Sequence, residues 1–495
     1  MKIRNLLLAN LFIIFSLVSA QVFSQAQATP RFFDSEKLDA IDKKVIKTMK
    51  ENRVPGASVA LIESGKIVLI KGYGVANNRG TKVTVKTPFQ LASLTKSFTA
   101  LLMLKLESEG ELSLKDPITK HIPWFATSKE RQADKITIRN LLQHSSGLPR
   151  LTGNLTQNTT YRGADATKLS VNKLLYTELL FEPGTHFEYS NANYHIASHI
   201  VELVTKKSFE EVMTSKVLKP LKMHNSYVQV PLDASEPEAI GFPQWFGIPI
   251  ERKFILGRMK MGDGGMVASA EDLSAYLLAI SKPDNDVVST TIRDNLLNTE
   301  NSNAHFGLGW SVSSLNGAPL YEHDGGNGGF STWFGFSEST SERADIGVII
   351  LSNSSSSLYD RFVYDLKLFI LKNESSAVKA NTMNLIFLIY LYLGIIVLAF
   401  SLFRAIVKPA PKFFRLRLLI MPCALISLAY FTAIVVPKIF DITLFGIYPF
   451  FPDLMVGLTG FSTLALTLAF IKIIKILANL LLLAENRSAN HTSSR

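Results

Sequence analysis

Residues 92–98 read Ala92-Ser93-Leu94-Thr95-Lys96-Ser97-Phe98, and the run stays largely apolar as far as Leu106 before Gly110 interrupts it. The pattern predicts one apolar helix from Ser93 to Glu109, closed by Gly110. Residues three apart share a helix face, so Ser93 and Lys96 lie side by side. Either Ser93 is an N-cap followed by a surface lysine, or the pair is a nucleophile and its base. A serine hydroxyl is a weak nucleophile until a base activates it. A lysine serves as that base if burial disfavours its charged form. Leu94, Phe98, Leu101 and Leu102 supply an apolar setting, and a helix N-terminus favours developing negative charge. Alone, S-x-x-K is a weak signal.

Working outward, Ser35 to Asn52 carries Leu38, Ile41, Val45 and Met49 at helical spacing, with Asp34 or Ser35 available as cap. ASVALIESGKIVLIKGYG reads as a hairpin about Ser64-Gly65. Near the other end, GLGWSVSSL and APLYEHDGG flank the hairpin turn Asn316-Gly317. GGFSTWFGFS and ADIGVIILSN read as two further strands, and Ser357 to Lys372 as a closing helix. Both chain ends thus contribute to one antiparallel sheet flanked by helices, with residues 112–300 as a helical insert. The fold class is α/β (α+β).

Two more stretches carry chemistry. FEPGTHFEYSNANY places Tyr189 and Asn191 after a Pro183-Gly184 turn. A phenol relays protons where a nearby ammonium lowers its pKa, and an asparagine amide can hold a substrate carbonyl. YEHDGGNGGFSTW places His323, Gly325 and Gly326 ahead of a glycine-rich strand, where a substrate can approach the backbone closely or meet an exposed N–H. His195 and His199 have zinc-compatible spacing, but Ile196 stands where H-E-x-x-H needs glutamate, so they read as packing histidines and no metal is expected. No G-x-S-x-G elbow surrounds any serine.

The order S-x-x-K, Y-x-N, H-x-G resembles the serine β-lactamase and penicillin-binding-protein superfamily. The Y-x-N form looks like its class C β-lactamase-related branch, which includes D-aminopeptidases, DD-peptidases and esterases. ITIRNLLQHSSGLPR, GDGGMVASAEDL and FGLGWSV match as well, so the resemblance spans about residues 34–372. It implies a β-lactamase-like fold with Ser93 acylated, Lys96 and Tyr189 sharing proton transfers, and Asn191 positioning the substrate. It also implies an oxyanion hole from the backbone N–H groups of Ser93 and Gly326, and no cofactor. His323 and Asp324 replace the lysine and hydroxyl residue of the lactamase K-T-G, which points to peptidase or esterase chemistry. His144 in QHSSGL reads as structural.

The flanks locate the protein. MKIRNLLLANLFIIFSLVSA has a charged start, an apolar core at Leu6 to Val18 and a small-residue cleavage site, so residues 1–20 read as a signal peptide. Three apolar runs, about Leu385–Val407, Leu416–Val436 and Leu454–Ile471 (continuing towards Leu483), approach bilayer length. They define a three-helix transmembrane domain at 384–483. The loop RAIVKPAPKFFRLR holds five basic and no acidic residues, which places it inside and the catalytic domain outside. Residues 484–495 would be a cytoplasmic tail, disordered after Glu485. Of the net charge of +11, the segment 381–495 carries 10 Lys/Arg against 3 Asp/Glu. The nearly neutral middle argues against nucleic-acid binding. The single Cys423 permits no intrachain disulfide.

The sequence therefore predicts a multi-pass, extracytoplasmic serine hydrolase acting on small peptides or esters. Two rivals are a β-lactamase or penicillin-binding protein, and a silent receptor for wall fragments.

Overall fold

The computed structural model describes residues 31–492, apart from 130, 156–158, 229–237, 300–304, 341–344, 357–361, 373, 375–381, 408–416 and 440–451. The expected signal peptide lies outside the described residues.

Helix α1 (Ser35–Glu51) starts at Asp34, whose carboxylate caps the Lys37 N–H. Strands β1 (Gly56–Glu63) and β2 (Lys66–Gly74) form the first hairpin. Ser64 and Gly65 take φ of 52° and 69°, the left-handed pair that a two-residue hairpin turn needs. Helix α2 (Thr95–Ser108) follows a 3-10 turn at Ala92–Leu94. Helices α3 (Asn191–Thr205) and α4 (Ala270–Ser281) belong to the helical middle section and its return to the sheet. Strands β3 (Ser311–Leu315), β4 (Ala318–Asn327), β5 (Phe330–Ser337) and β6 (Ile346–Ser352) complete the sheet. Helix α5 (Phe362–Lys372) closes it; the expected first turn from Ser357 lies outside the described residues.

The sheet order is β2-β1-β6-β5-β4-β3, antiparallel throughout, so both chain ends do build one sheet. Every residue of β1 is buried because both faces are covered. Val59 and Leu61 join Ile41, Val45, Leu366 and Ile370 of α1 and α5 on one side. Ala60 and Ile62 face the larger core, with Phe98, Leu101 and Leu273 of α2 and α4. Helix α2 is buried almost all round, with Thr95, Lys96, Ser97 and Thr99 buried beside its apolar residues, as a helix wedged between a sheet and a helical subdomain must be.

The C-terminal runs form helices α6 (Thr382–Val407), α7 (Arg417–Tyr430, with Pro422 inside) and α8 (Pro452–Thr492). Among the described residues, two helices are long and apolar enough to cross a bilayer, Leu388–Val407 and Asp453–Leu482. The middle run is helical from Arg417 through a π segment at Phe431–Val435 to Ile439, with a shorter apolar part, Met421–Val435, so two of the three expected spans meet the length of a bilayer among the described residues. Helix α8 also runs on to Thr492, where disorder was expected after Glu485. The stretch Ala484-Glu485-Asn486-Arg487 contains good helix formers that extend an already nucleated helix.

Candidate active site

The 3-10 turn before α2 aims Ser93 out of the core. Ala92 sits at φ 50°, in the left-handed region that disfavours a β-carbon, so the turn is held by its surroundings. Lys96 lies in the first turn of α2 and is fully buried, its stem in the core. Its Nζ donates to Ser93 Oγ at 3.0 Å and to the backbone carbonyl of Asp263 at 2.9 Å. The same Nζ lies 5.0 Å from the ring centre of Tyr189 and 5.6 Å from that of Tyr194. Burial pulls the Lys96 ammonium down to about 8, against the raising fields of Asp263 and Asp324. The pairing read from S-x-x-K is thus present, and Leu94, Phe98, Leu101 and Leu102 are all fully buried around it.

Tyr189 precedes α3 and shares a hydrogen bond with the Ser93 side chain. Its phenol is not shifted as the sequence suggested. Burial raises its pKa, and the bond to Ser93 offsets this only in part. The phenol therefore holds its proton, and Lys96 is the group tuned towards accepting one.

Asn191 opens α3, and its Nδ2 donates to Asn154 Oδ1 at 3.0 Å. Its Oδ1 is buried with no protein partner, and its side chain lines the cleft beside Ser93 and Gly326. On β4, Gly325 and Gly326 have separate roles. A β-carbon on Gly325 would lie 2.2 Å from the Leu91 carbonyl, whereas one on Gly326 meets nothing within 4 Å. The first glycine lets the strand close on the nucleophile turn, and the second leaves the cleft open.

His323 is buried, with Nδ1 at 2.6 Å from the Asp324 carbonyl. Nδ1 therefore carries the proton, and Nε2 is left as a buried acceptor with no protein partner. Burial lowers the pKa of the ring, so this position presents a neutral imidazole rather than a cation.

Several residues that the sequence reading passed over complete the cleft. Lys260 and Asp263 line it with Asn327. Burial opposes the Asp263 carboxylate, but His195, Lys260 and Lys96 together hold its pKa below the ordinary range. His195 Nε2 lies 3.2 Å from Asp263 Oδ1, so a histidine read as packing supports the residue whose carbonyl holds Lys96. His199 has a different partner, Thr167 Oγ1 at 3.1 Å. Among the described residues no cluster of metal-ligating side chains occurs. His144 is fully buried and accepts the Ser190 N–H through Nδ1 at 3.1 Å. Its ring lies 4.4 Å from that of Tyr189, so this structural histidine also forms the wall behind the phenol. The one sequence signal for the Asp263 region was the GDGG stretch, which carries no charge pattern of its own.

A hydroxyl, a buried amine of lowered pKa, a phenol and an open glycine strand meet in one cleft. The Beta-lactamase family model matches residues 41–370. The chain belongs to the Beta-lactamase family. Within it, this Beta-lactamase-family chain is 31% identical over 353 residues to Protein flp of Staphylococcus aureus (strain N315), covering 70% of this chain and 68% of that one. The octameric penicillin-binding protein homologue from Pyrococcus abyssi superposes with a TM-score of 0.56 at 26% identity, over 67% of this chain and 77% of that one. FmtA from Staphylococcus aureus shares the fold with a TM-score of 0.55 at 23% identity, over 70% of this chain and 91% of its own. The chain is thus a member of the β-lactamase and penicillin-binding-protein-like serine hydrolase superfamily, with a mixed α/β fold.

Proposed function

We propose that this protein is a membrane-anchored, extracytoplasmic serine hydrolase of the class C β-lactamase-related branch. It cleaves amide or ester bonds, in D-amino-acid or cell-wall-type peptides or in small esters, through an acyl-Ser93 intermediate. The observation that carries this reading is the fully buried Lys96 Nζ at 3.0 Å from Ser93 Oγ.

A pKa of about 8 leaves about a tenth of Lys96 neutral at pH 7, which is enough for a general base. Neutral Lys96 takes the Ser93 hydroxyl proton as Oγ bonds to the substrate carbonyl carbon. The oxyanion so formed faces the backbone N–H groups of Ser93 and Gly326. Tyr189 gives its phenol proton to the departing nitrogen or oxygen and regains one from Lys96. Water then attacks the acyl carbon, its proton passes back through the same pair, and Ser93 is released with its hydroxyl restored. The unpartnered Asn191 Oδ1 suits a substrate N–H. The neutral His323 offers no cation to the carboxylate that β-lactams carry, which favours peptide or ester substrates.

Anchoring is supported by two apolar helices whose surfaces are largely exposed, with Ile396, Phe400, Phe403 and Phe470 among the uncovered side chains. The basic loop at 404–417 sets their orientation.

The test is turnover by the full-length protein in proteoliposomes. The panel comprises D-alanyl and L-alanyl p-nitroanilides, p-nitrophenyl esters and a chromogenic cephalosporin. D-specific amide or ester cleavage that Ser93→Ala abolishes supports the proposal. Rapid cephalosporin cleavage with the rest untouched would make it a β-lactamase instead.

A further inference from the structure

A short hairpin is formed by Phe242–Trp245 and Ile248–Pro249, with the Gly247 carbonyl in its turn accepting from Arg53 Nη1 at 2.9 Å. Its sequence, Gly241-Phe242-Pro243-Gln244-Trp245-Phe246-Gly247-Ile248-Pro249-Ile250, holds no charge. The tip is apolar and uncovered: Phe246, Ile248 and Ile250 are 48%, 59% and 47% exposed. Phe246 takes φ 50° at the turn, beside Gly247 at 76°. Asparagine or glycine is favoured there, so a bulky aromatic is held in a disfavoured conformation at the turn of the hairpin.

The base of the hairpin is fixed. Gln244 Nε2 donates to the Asn52 carbonyl at 2.8 Å and to Ser354 Oγ at 3.0 Å. Phe242 pairs with Ser354. The tip meets the starts of the two apolar helices. The Phe246 N–H donates to Asp453 Oδ2 at 3.1 Å, and its ring meets that of Tyr392 edge-on at 5.2 Å. Asp453 is the first residue of one candidate span, and Tyr392 lies near the start of the other. Tyr392 Oη donates to the Asp453 carbonyl at 2.9 Å, so both starts lie at one end of the bundle; with the basic loop on the inside and the middle helix crossing back, that end is the outer face.

We propose that this hairpin is a lipid-facing foot, its apolar tip seated in the outer interfacial layer of the bilayer beside the spans. The proposal rests on the anchoring reading above. Continuity with the outer ends of the spans selects lipid as the occupant, and an uncharged tip of aromatic and aliphatic residues is the composition that layer takes up. The foot also sets the height of the cleft. Gly241, where the hairpin leaves the fold, packs against Gly329, two residues beyond the cleft-lining Asn327. The nucleophile is thereby held close above the membrane, within reach of substrates presented at its surface.

An environment-sensitive fluorophore on single cysteines, in full-length protein reconstituted with brominated lipids, tests this. Ile248→Cys and Ile250→Cys, each in a Cys423→Ala background, report the tip. Lys66→Cys is the control, because β1 carries the chain about 25 Å away from the hairpin base. The native Cys423 in the unaltered protein reports anchoring by itself. Quenching at 248, 250 and Cys423 but not at 66 is the expected result. Quenching at Cys423 alone overturns the foot and leaves the anchor standing. No quenching at any of these positions removes the anchor and the foot together.

Discussion

Replacing Lys96 with methionine separates what the buried amine does for chemistry from what it does to the fold. The Lys96 pKa falls from 10.5 to about 8 because the side chain is wholly buried. At about 1.4 kcal/mol per unit, holding the charged form at pH 7 costs the native state about 3 kcal/mol. Methionine keeps most of the stem and removes the charge. It also removes the donor to Ser93 Oγ and the Asp263 carbonyl, worth about 1 kcal/mol each. Lys96→Met should therefore be inactive yet about 1 kcal/mol more stable at pH 7. The pH dependence carries a second signature. Between about pH 8 and 10.5 the unfolded chain keeps a proton that the native lysine has lost, so wild-type stability rises with pH across that window. The advantage of the variant should then vanish by about pH 10. Urea unfolding of both full-length proteins in detergent at the two pH values measures this. A variant clearly less stable at pH 7, or a stability gap that ignores pH, would refute the reasoning.

Four further outcomes follow from the same geometry. The kcat/KM of the wild type should rise as pH passes through about 8, where Lys96 loses its proton, and a flat profile from pH 6 to 9 would contradict its role as base. Gly325→Ala should destabilise by about 3 kcal/mol, because the new methyl strikes the Leu91 carbonyl and Thr332 Oγ1. Gly326→Ala should fold normally and lose turnover as its methyl enters the cleft, so equal unfolding midpoints for the two variants would count against this division of the glycines. His144→Leu should cost about 1–3 kcal/mol by stranding the buried Ser190 N–H. It should also lower kcat more than it raises KM, because Tyr189 loses its backing ring; an unchanged kcat would reduce His144 to scaffold.

The parts legible in the sequence were those with a local period or a local turn. The β-rich runs of β1 and β2, the left-handed turn pairs at Ser64-Gly65 and Asn316-Gly317, and the helical spacing of Leu38 to Met49 each act over a few residues. Ser93 and Lys96 were legible for the same reason: they are three residues apart, although Ser93 lies in the 3-10 turn that leads into α2 rather than in the helix expected from Ser93. Residues whose role depends on distant partners were not. Asp263 matters because its carbonyl meets Lys96, 167 positions away in the chain, and its carboxylate meets His195. The rise in the Tyr189 pKa depends on burial by the finished fold, which no local pattern carries. The C-terminal runs were legible by composition. Composition marked three runs, and two of them meet the length and hydropathy of a span among the described residues; the middle one is helical from Arg417 to Ile439, but Pro422 and a π segment at Phe431–Val435 interrupt it and its apolar part is shorter.

The central claim is that Lys96 makes Ser93 a nucleophile. Intact-mass analysis of the full-length protein after exposure to a fluorophosphonate probe tests it most directly, with Ser93→Ala and Lys96→Met alongside. The account predicts one adduct on the wild type, none on Ser93→Ala, and labelling slowed by orders of magnitude on Lys96→Met. Undiminished labelling of Lys96→Met, or an adduct that survives Ser93→Ala, would contradict it.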